Sequence, residues 1–170
     1  MTSITIRPFA ADEWPLYKAL RLRSLADSPD AFGSTLELES LRADDVWADR
    51  LRSGATSVKD AALVAWVGDL PSGLVWAKED AGAPGHVDVF QMWVAPEARG
   101  LGVGKALLET ALAWCRGHGA KIVRLGVAEG ETPANRLYRR AGFVVVGEPE
   151  PIRPGSDRMA INMRLELAGG

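Results

Sequence analysis

Three glycines within seven residues form the segment of this 170-residue chain with the clearest chemical potential. The segment reads Arg99-Gly100-Leu101-Gly102-Val103-Gly104-Lys105 and lies between a strand-like run and a helical run. A helix that begins here exposes unpaired backbone N–H groups and a partial positive charge. Glycines let an anion approach those groups closely. The segment therefore predicts a site for a phosphate-bearing ligand.

Two common phosphate-binding loops do not fit this spacing. A P-loop has the order G-x-x-x-x-G-K-[ST], and aligning its G-K with Gly104-Lys105 places Arg99 at the first glycine and Ala106 at the Ser/Thr position. The dinucleotide fingerprint G-x-G-x-x-G needs a further glycine at Lys105 or Leu107. It also belongs to an opening βαβ unit, whereas strands joined by short turns precede this segment. Nucleotide hydrolysis and dinucleotide binding are therefore both disfavoured.

The elements that must position the loop follow from the periodicity of the apolar residues. Period-two runs predict strands at 4–7, 62–67, 74–77, 87–94, 122–127, 143–146 and 159–167. Helical spacing predicts a helix between the loop and Gly117, and another that starts near Thr132 and ends at Gly142. Short turns at 69–73 and 81–85 make 62–94 an antiparallel meander. The strand after the loop helix is reached through that helix, so we expect it to lie parallel to 87–94.

Two further helical regions precede the meander. Asp12 is the predicted N-cap of the first, with Pro15 in its first turn. The second runs from about 36 to 51, with Asp44 as an internal restart. Its predicted apolar side consists of Leu38, Leu41, Trp47 and Leu51.

Composition limits the possible classes of function. The chain carries 22 acidic and 20 basic groups, and this near-neutral balance disfavours nucleic-acid binding. A single cysteine, Cys115, excludes an intramolecular disulfide and a four-cysteine zinc site, and no metal site is predicted. The N-terminus has no apolar signal region, and no run of about 18 apolar residues is present. These features predict one cytoplasmic domain over 1–170 that does not contact membranes.

The charge is unevenly distributed. Residues 97–140, around the glycine loop, hold eight basic and four acidic groups, so the remainder of the chain carries the acidic excess. This basic segment suits a phosphorylated ligand. The acidic remainder predicts an acceptor side that favours a cationic amine.

The stretch Trp93-Val94-Ala95-Pro96-Glu97-Ala98-Arg99 to Leu108 resembles the acyl-CoA loop of the GNAT N-acetyltransferase family. Leu137-Tyr138-Arg139-Arg140-Ala141-Gly142-Phe143 resembles the family's downstream L-Y-x-x-x-G-F motif, and together these matches cover about 87–147. The resemblance implies a single-domain α/β fold with a mostly antiparallel twisted sheet, a parallel pair splayed at the cofactor site, and helices on both faces. It implies an acetyl-CoA-dependent N-acetyltransferase acting on a primary amine. The alternative is a GNAT-like module that binds acyl-CoA without turnover.

The resemblance also implies which residues contact acetyl-CoA. The pyrophosphate is expected on the loop amides of Arg99, Gly100, Leu101, Gly102, Val103, Gly104 and Lys105, and the pantetheine arm on the backbone of Met92, Trp93 and Val94. The Tyr138 hydroxyl is expected to face the thioester sulfur as a catalytic group. Many family members carry, at the position of Glu131, an Asn that contacts the cofactor, whereas this chain has an acidic residue there. Asn135 either replaces it as a cofactor contact or is a solvated helix residue.

An amine attacks a thioester only when neutral, and a free alkylamine has a pKa near ~10.4, so its proton needs an acceptor. Asp88, on the strand before the loop, is the predicted catalytic base. Glu129 and a relayed water are the alternatives. A main-chain N–H between Met92 and Val94, freed by a bulge, is the predicted donor to the acyl oxygen. The resemblance further suggests a small-molecule or peptide amine as acceptor, read by 32–51 and 148–157, and is compatible with a homodimer.

Overall fold

The structure, a computed structural model, describes residues 3–167. Seven strands form one sheet in the order β1-β2-β3-β4-β5-β7-β6, in which β4 and β5 are parallel and all other neighbours are antiparallel. The strands are β1 Ile4–Pro8, β2 Asp60–Val67, β3 Leu70–Glu79, β4 His86–Val94, β5 Ile122–Ala128, β6 Val144–Pro151 and β7 Met159–Glu166. The helices are α1 Trp14–Asp27, α2 Leu36–Ser40, α3 Asp44–Thr56, α4 Val103–Gly117 and α5 Pro133–Arg140. The predicted mixed sheet with one parallel pair is confirmed.

The β2–β3 hairpin differs from the prediction. β3 begins at Leu70 rather than at 74, so the turn consists of Gly68 and Asp69 and the predicted turn at 69–73 is wrong. Gly68 has a φ of 58°, the left-handed conformation that tight two-residue hairpins require. A register shift between Ala65 and Trp66 then accommodates Pro71 in the strand.

The first helical region also differs in detail. Glu13, not Asp12, is the N-cap of α1, and its side chain makes no capping bond because Arg7 and the Ala10 amide donate to its carboxylate at 2.7–2.9 Å. Pro15 lies in the first turn as predicted. The predicted helix over 36–51 is interrupted, and α3 starts at the predicted restart, Asp44.

Only half of the predicted apolar side of that region is buried. Trp47 and Leu51 of α3 are fully buried, as predicted. Leu38 and Leu41 are 63% and 78% exposed, so their assignment to the core is wrong. The break between α2 and α3 explains this difference, because the residues before and after it no longer share one helical face.

Helices cover both faces of the sheet, and successive strand residues alternate between two cores. One core packs small and aliphatic strand residues such as Leu63, Val87 and Val123 against α4 and α5. The other packs Tyr17 and Trp47 of α1 and α3 against Trp76 and Trp93 of the sheet. Within 3–167, none of the helices combines the length and the apolar character needed to cross a membrane.

Candidate active site

The parallel strands β4 and β5 pair only at their beginnings. The register includes His86 with Ile122, Val87 with Val123 and Asp88 with Arg124, and ends there, although β4 continues to Val94 and β5 to Ala128. Beyond Asp88, β4 is paired on its β3 side alone. The splayed pair expected from the sequence is therefore present. It leaves a free strand edge between two core strands, to which an extended ligand can pair.

A bulge lies at this free edge. β3 pairs Leu74 with Trp93 but Trp76 with Phe90, so Val75 opposes both Gln91 and Met92. Gln91 is the only non-glycine residue in 3–167 with a positive φ, at 58°. Its side-chain oxygen accepts a 2.8 Å hydrogen bond from the hydroxyl of Tyr17, which is fully buried in α1. A long-range side-chain contact thus holds a costly backbone conformation at the point where the strands part.

The glycine loop opens α4 as the sequence predicted. Gly100 and Gly102 have φ values of 81° and 89°, and a Cβ added at either position would meet nothing within 4 Å. The Ala106 amide donates to the Gly102 carbonyl at 3.0 Å, so the preceding amides of α4 lack helical partners. Free amides beside open space and flexible glycines form a cradle that fits a pyrophosphate.

Some of the remaining loop residues are buried and others are exposed. Leu101 is 53% exposed and Val103 is buried. A Cβ added at Gly104 would lie 3.5–3.9 Å from the side chains of Leu137, Val94 and Met92, so α4, α5 and the free edge of β4 meet there. The Lys105 side chain is exposed, 3.8 Å from Glu109.

Arg99 is tied to α1 rather than left free. Its guanidinium donates to Asp27 at 2.5 Å and to the Val94 carbonyl at 3.1 Å. The Trp93 indole and the Ser28 hydroxyl donate to the same Asp27 oxygen, and these donors, with Arg99, lower the pKa of Asp27 to about 2. The Arg99 side chain therefore holds the loop in place, and its role toward a phosphate stays a prediction.

Tyr138 lies inside the core between α4 and β5, 5% exposed, with its ring edge-on to Phe143. Its hydroxyl has no hydrogen-bond partner within 3–167. Burial raises the pKa of Tyr138, so the phenol stays protonated at neutral pH. A protonated hydroxyl without a partner is available to donate to a ligand atom.

Asn135 is buried, with 2% of its surface exposed. The alternative that it is a solvated helix residue is therefore wrong. Its side-chain amide donates to the Gly130 carbonyl at 2.9 Å, and its oxygen accepts from Arg139 at 3.1 Å. Asn135 therefore holds the loop after β5. Glu131 is exposed in that loop, and whether either residue contacts a cofactor stays a prediction.

Both oxygens of the predicted base, Asp88, accept hydrogen bonds from Arg124, at 2.9 and 3.2 Å. Arg124 also donates to Asp80 at 2.8 Å and lowers the pKa of that carboxyl. Arg124 therefore holds Asp88 in place and stabilises its charged form, which weakens it as a proton acceptor. Glu129, the alternative base, is exposed at the end of β5.

Two cavities open on the face of the sheet opposite α4, and they meet at Phe90. The larger, about 600 Å³, lies over the region where β4 and β5 part and includes Asp88, Arg124 and Gly126. The smaller, about 320 Å³, lies between α1, α3 and the bulge. A second substrate on this face would approach the free edge of β4 from the side opposite the glycine loop.

No sequence pattern indicated a role for Tyr17 or Gln91, or the buried pairing of Arg21 with Glu39, in which Arg21 donates at 2.7 and 3.1 Å. Burial raises the pKa of Glu39, but the bonds and charge of Arg21 outweigh it and leave that pKa lowered. Tyr17 and Gln91 are separated by 74 positions. No local pattern connects such residues.

The model of the Acetyltransferase (GNAT) family matches residues 23–143. The chain belongs to the GNAT acetyltransferase family. The match starts well before the region that carried the sequence resemblance, and it confirms the predicted family.

Relatives and solved structures agree with this membership. The GNAT chain is 36% identical to mycothiol acetyltransferase of Thermobispora bispora over 129 residues, which is 74% of this chain and 41% of that protein. It is 37% identical over 118 residues to mycothiol acetyltransferase of Geodermatophilus obscurus, covering 66% of this chain and 37% of that protein. The fold matches yncA of Salmonella typhimurium, solved with its cofactor acetyl-CoA, with a TM-score of 0.80, 16% identity and coverage of 98% and 95%. The chain thus spans about two fifths of the length of these curated relatives.

Proposed function

We propose that this GNAT chain transfers the acetyl group of acetyl-CoA to a primary amine by direct attack on the thioester. The observation that carries the proposal is the free edge of β4 beside the open glycine cradle of α4. The amides at the start of α4 would bind the pyrophosphate, and the backbone of Met92, Trp93 and Val94 would pair with the pantetheine arm. Acetyl-CoA supplies the activated acyl group. The protein supplies position and charge.

Two groups of the chain would act on the developing charge. A main-chain N–H at the Gln91–Met92 bulge, fixed through Tyr17, would donate to the acyl oxygen. The Tyr138 hydroxyl would donate to the sulfur. Because the pKa of Tyr138 is raised above that of an ordinary phenol, it is a much weaker acid than a thiol, whose pKa is about 8.5. Tyr138 therefore stabilises the leaving thiolate by a hydrogen bond more than by full proton transfer.

The test is release of thiol from acetyl-CoA across a panel of primary amines. Tyr138→Phe should lower kcat about tenfold or more. It should leave the acetyl-CoA Kd and the unfolding free energy nearly unchanged, because the hydroxyl has no partner within 3–167. An unchanged kcat removes Tyr138 from the mechanism. Tight acetyl-CoA binding with no thiol release on any amine supports the non-catalytic module instead.

The proton acceptor needs a separate experiment. Asp88→Asn should remove the acidic limb of the kcat/KM pH profile if Asp88 is the base. An unaltered pH profile would mean that Glu129 or a water is the base. The pH profile of Glu129→Gln then distinguishes these two alternatives. The cytoplasmic location and the homodimer stay predictions.

A further inference from the structure

The smaller cavity adjoins the place where the amine must attack. It is lined by Tyr17, Arg50, Trp76, Lys78, Phe90 and Gln91. Gln91 belongs to the bulge at the free edge of β4, so this cavity meets the proposed acyl position from the helix α1–α3 side. At about 320 Å³ it has room for a small organic group.

The charged side chains that line this cavity are all positive. Its only charged lining residues are Arg50 and Lys78. Neither has a carboxylate partner within 4.0 Å in the described part of the chain. By contrast, the neighbouring arginines of α1–α3 and the α2–α3 connection are paired: Arg21 and Arg42 with Glu39, Arg23 with Glu97, and Arg52 with Asp49. Arg50 is the exception, and it lies at the cavity.

The carboxylates opposite Lys78 on the neighbouring strands already accept hydrogen bonds from other donors. Asp60 and Asp88 face Lys78 across the sheet from β2 and β4. Asp60 accepts the indole N–H of Trp76 at 2.8 Å, and Asp88 accepts from Arg124 at 2.9 Å. The two cations at the cavity therefore remain available to an anionic ligand.

Aromatic rings supply the apolar wall. Trp76 and Phe90 stack with their centroids 6.1 Å apart and their planes 16° from parallel, and Phe90 is 38% exposed. A cavity with two free cations, a buried Tyr17 and an aromatic wall suits an organic acid.

We propose that the acceptor carries a carboxylate in addition to its primary amine, and that Arg50 and Lys78 bind this carboxylate while the amine points to Gln91. The inference rests on the proposed acetyl transfer. A guanidinium matches the two oxygens of a carboxylate, which would fix the orientation of the acceptor. An amine without an anionic group, such as a polyamine, would meet two unpaired positive charges. Arg50 and Lys78 give this cavity a positive local charge, although the chain outside 97–140 carries an acidic excess.

The experiment uses amine pairs that differ only in the carboxylate: glycine, L-phenylalanine and L-lysine, each against its amide. With the native chain, kcat/KM for at least one acid should exceed that of its amide by roughly tenfold or more. Arg50→Gln and Lys78→Gln should each reduce this preference by about tenfold through KM, with kcat little changed. Intrinsic amine reactivity cancels when the ratio for a variant is divided by the ratio for the native chain.

Arg52→Gln is the matched control, because Arg52 is on the same helix but pairs with Asp49 and lies outside the cavity. It should leave the preference unchanged. Turnover of amines with no preference for any acid overturns the inference and leaves the proposed function standing. So does a preference that survives in both cavity variants.

Binding of the products gives a readout that does not need turnover. Calorimetry with the N-acetylated acids and N-acetylated amides of the same three pairs should show tighter binding of an acid, lost in Arg50→Gln. If this binding preference exists but no amine is acetylated, the carboxylate site stands and the proposed function fails. If no acid binds more tightly than its amide and no acid is preferred as a substrate, the carboxylate site is wrong.

Discussion

The two faces of the sheet hold their candidate sites by different means. On the α4 face, the cofactor cradle uses consecutive residues, Gly100 to Lys105, and its proposed donors are backbone amides. On the α1–α3 face, the acceptor cavity combines side chains of α1, α3, β3 and β4. Backbone recognition suits a ligand shared by a family, because it depends on conformation. Side-chain recognition can change one residue at a time, which suits a ligand that differs between family members.

The two faces of the sheet also differ in the side chains that pack against them. The α4 face is mostly aliphatic and small. The α1–α3 face has edge-on contacts of Tyr17 with Phe9, Trp47 and Trp76. Large rings in fixed orientations leave little freedom, so we expect the acceptor side to tolerate added volume poorly.

Two helical glycines provide the largest test of this difference. A Cβ at Gly54 of α3 would lie 2.1 Å from the Trp76 ring, which is held by its bond to Asp60. Gly54→Ala should therefore lower the unfolding free energy by about 3 kcal/mol or more, although alanine favours helices. Gly104→Ala in α4 meets only contacts of 3.5 Å or longer and should be neutral or stabilising by up to about 1 kcal/mol. Urea unfolding of both variants measures this, and equal stabilities would show that the faces do not differ.

The second prediction distinguishes loss of cofactor binding from the general cost of placing alanine at a positive φ. Gly102 and Gly119 flank α4 with φ values of 89° and 79°, and a Cβ at either meets nothing within 4 Å. Gly102→Ala and Gly119→Ala should each cost about 1 kcal/mol of stability. Only Gly102→Ala should weaken acetyl-CoA binding, by about tenfold or more, because its Cβ enters the cradle. Calorimetry compares the two, and equal affinities would place the pyrophosphate elsewhere.

The third prediction concerns the link from the aromatic core to the bulge. Tyr17→Phe removes the hydroxyl that donates to Gln91 and should cost about 1 kcal/mol of unfolding free energy. In a Gln91→Gly background, which lacks the acceptor oxygen and in which a positive φ is free of strain, the same change should cost less. Thermal unfolding of the two single variants and the double variant gives the coupling. Strictly additive effects would mean that Tyr17 does not hold the bulge.

The smallest effect is a pH dependence where the two faces meet. The donors on Asp27 lower its pKa from 3.8 to about 2, so its contribution to stability is present above pH 4 and is lost as the pH falls to 2. The side chain of Asp27 is 24% exposed and its contacts are screened, so the loss should be below about 1 kcal/mol. Asp27→Asn should lose less stability than the native chain between pH 5 and pH 2.5. Parallel pH curves would contradict this assignment.

Local sequence patterns predicted most of the helices and strands and the glycine loop before α4. Pro133 and Thr132 predicted the start of α5, and the Thr132 hydroxyl indeed accepts from the Asn135 amide. The glycines predicted an open loop before α4, and the short turns predicted the meander. These features depend on local backbone geometry, which residue types and spacing encode directly.

Tertiary structure decided the rest. The sequence placed Leu38 and Leu41 in the core, but the break after α2 exposes these leucines. No local pattern indicated that the Arg99 side chain pairs with Asp27, 72 positions earlier. The bond from Tyr17 to Gln91 and the cavity with Arg50 and Lys78 bring together residues far apart in the chain. Such contacts depend on how helices pack on the sheet. That packing is fixed by the fit of many side chains at once, which no short stretch of sequence specifies.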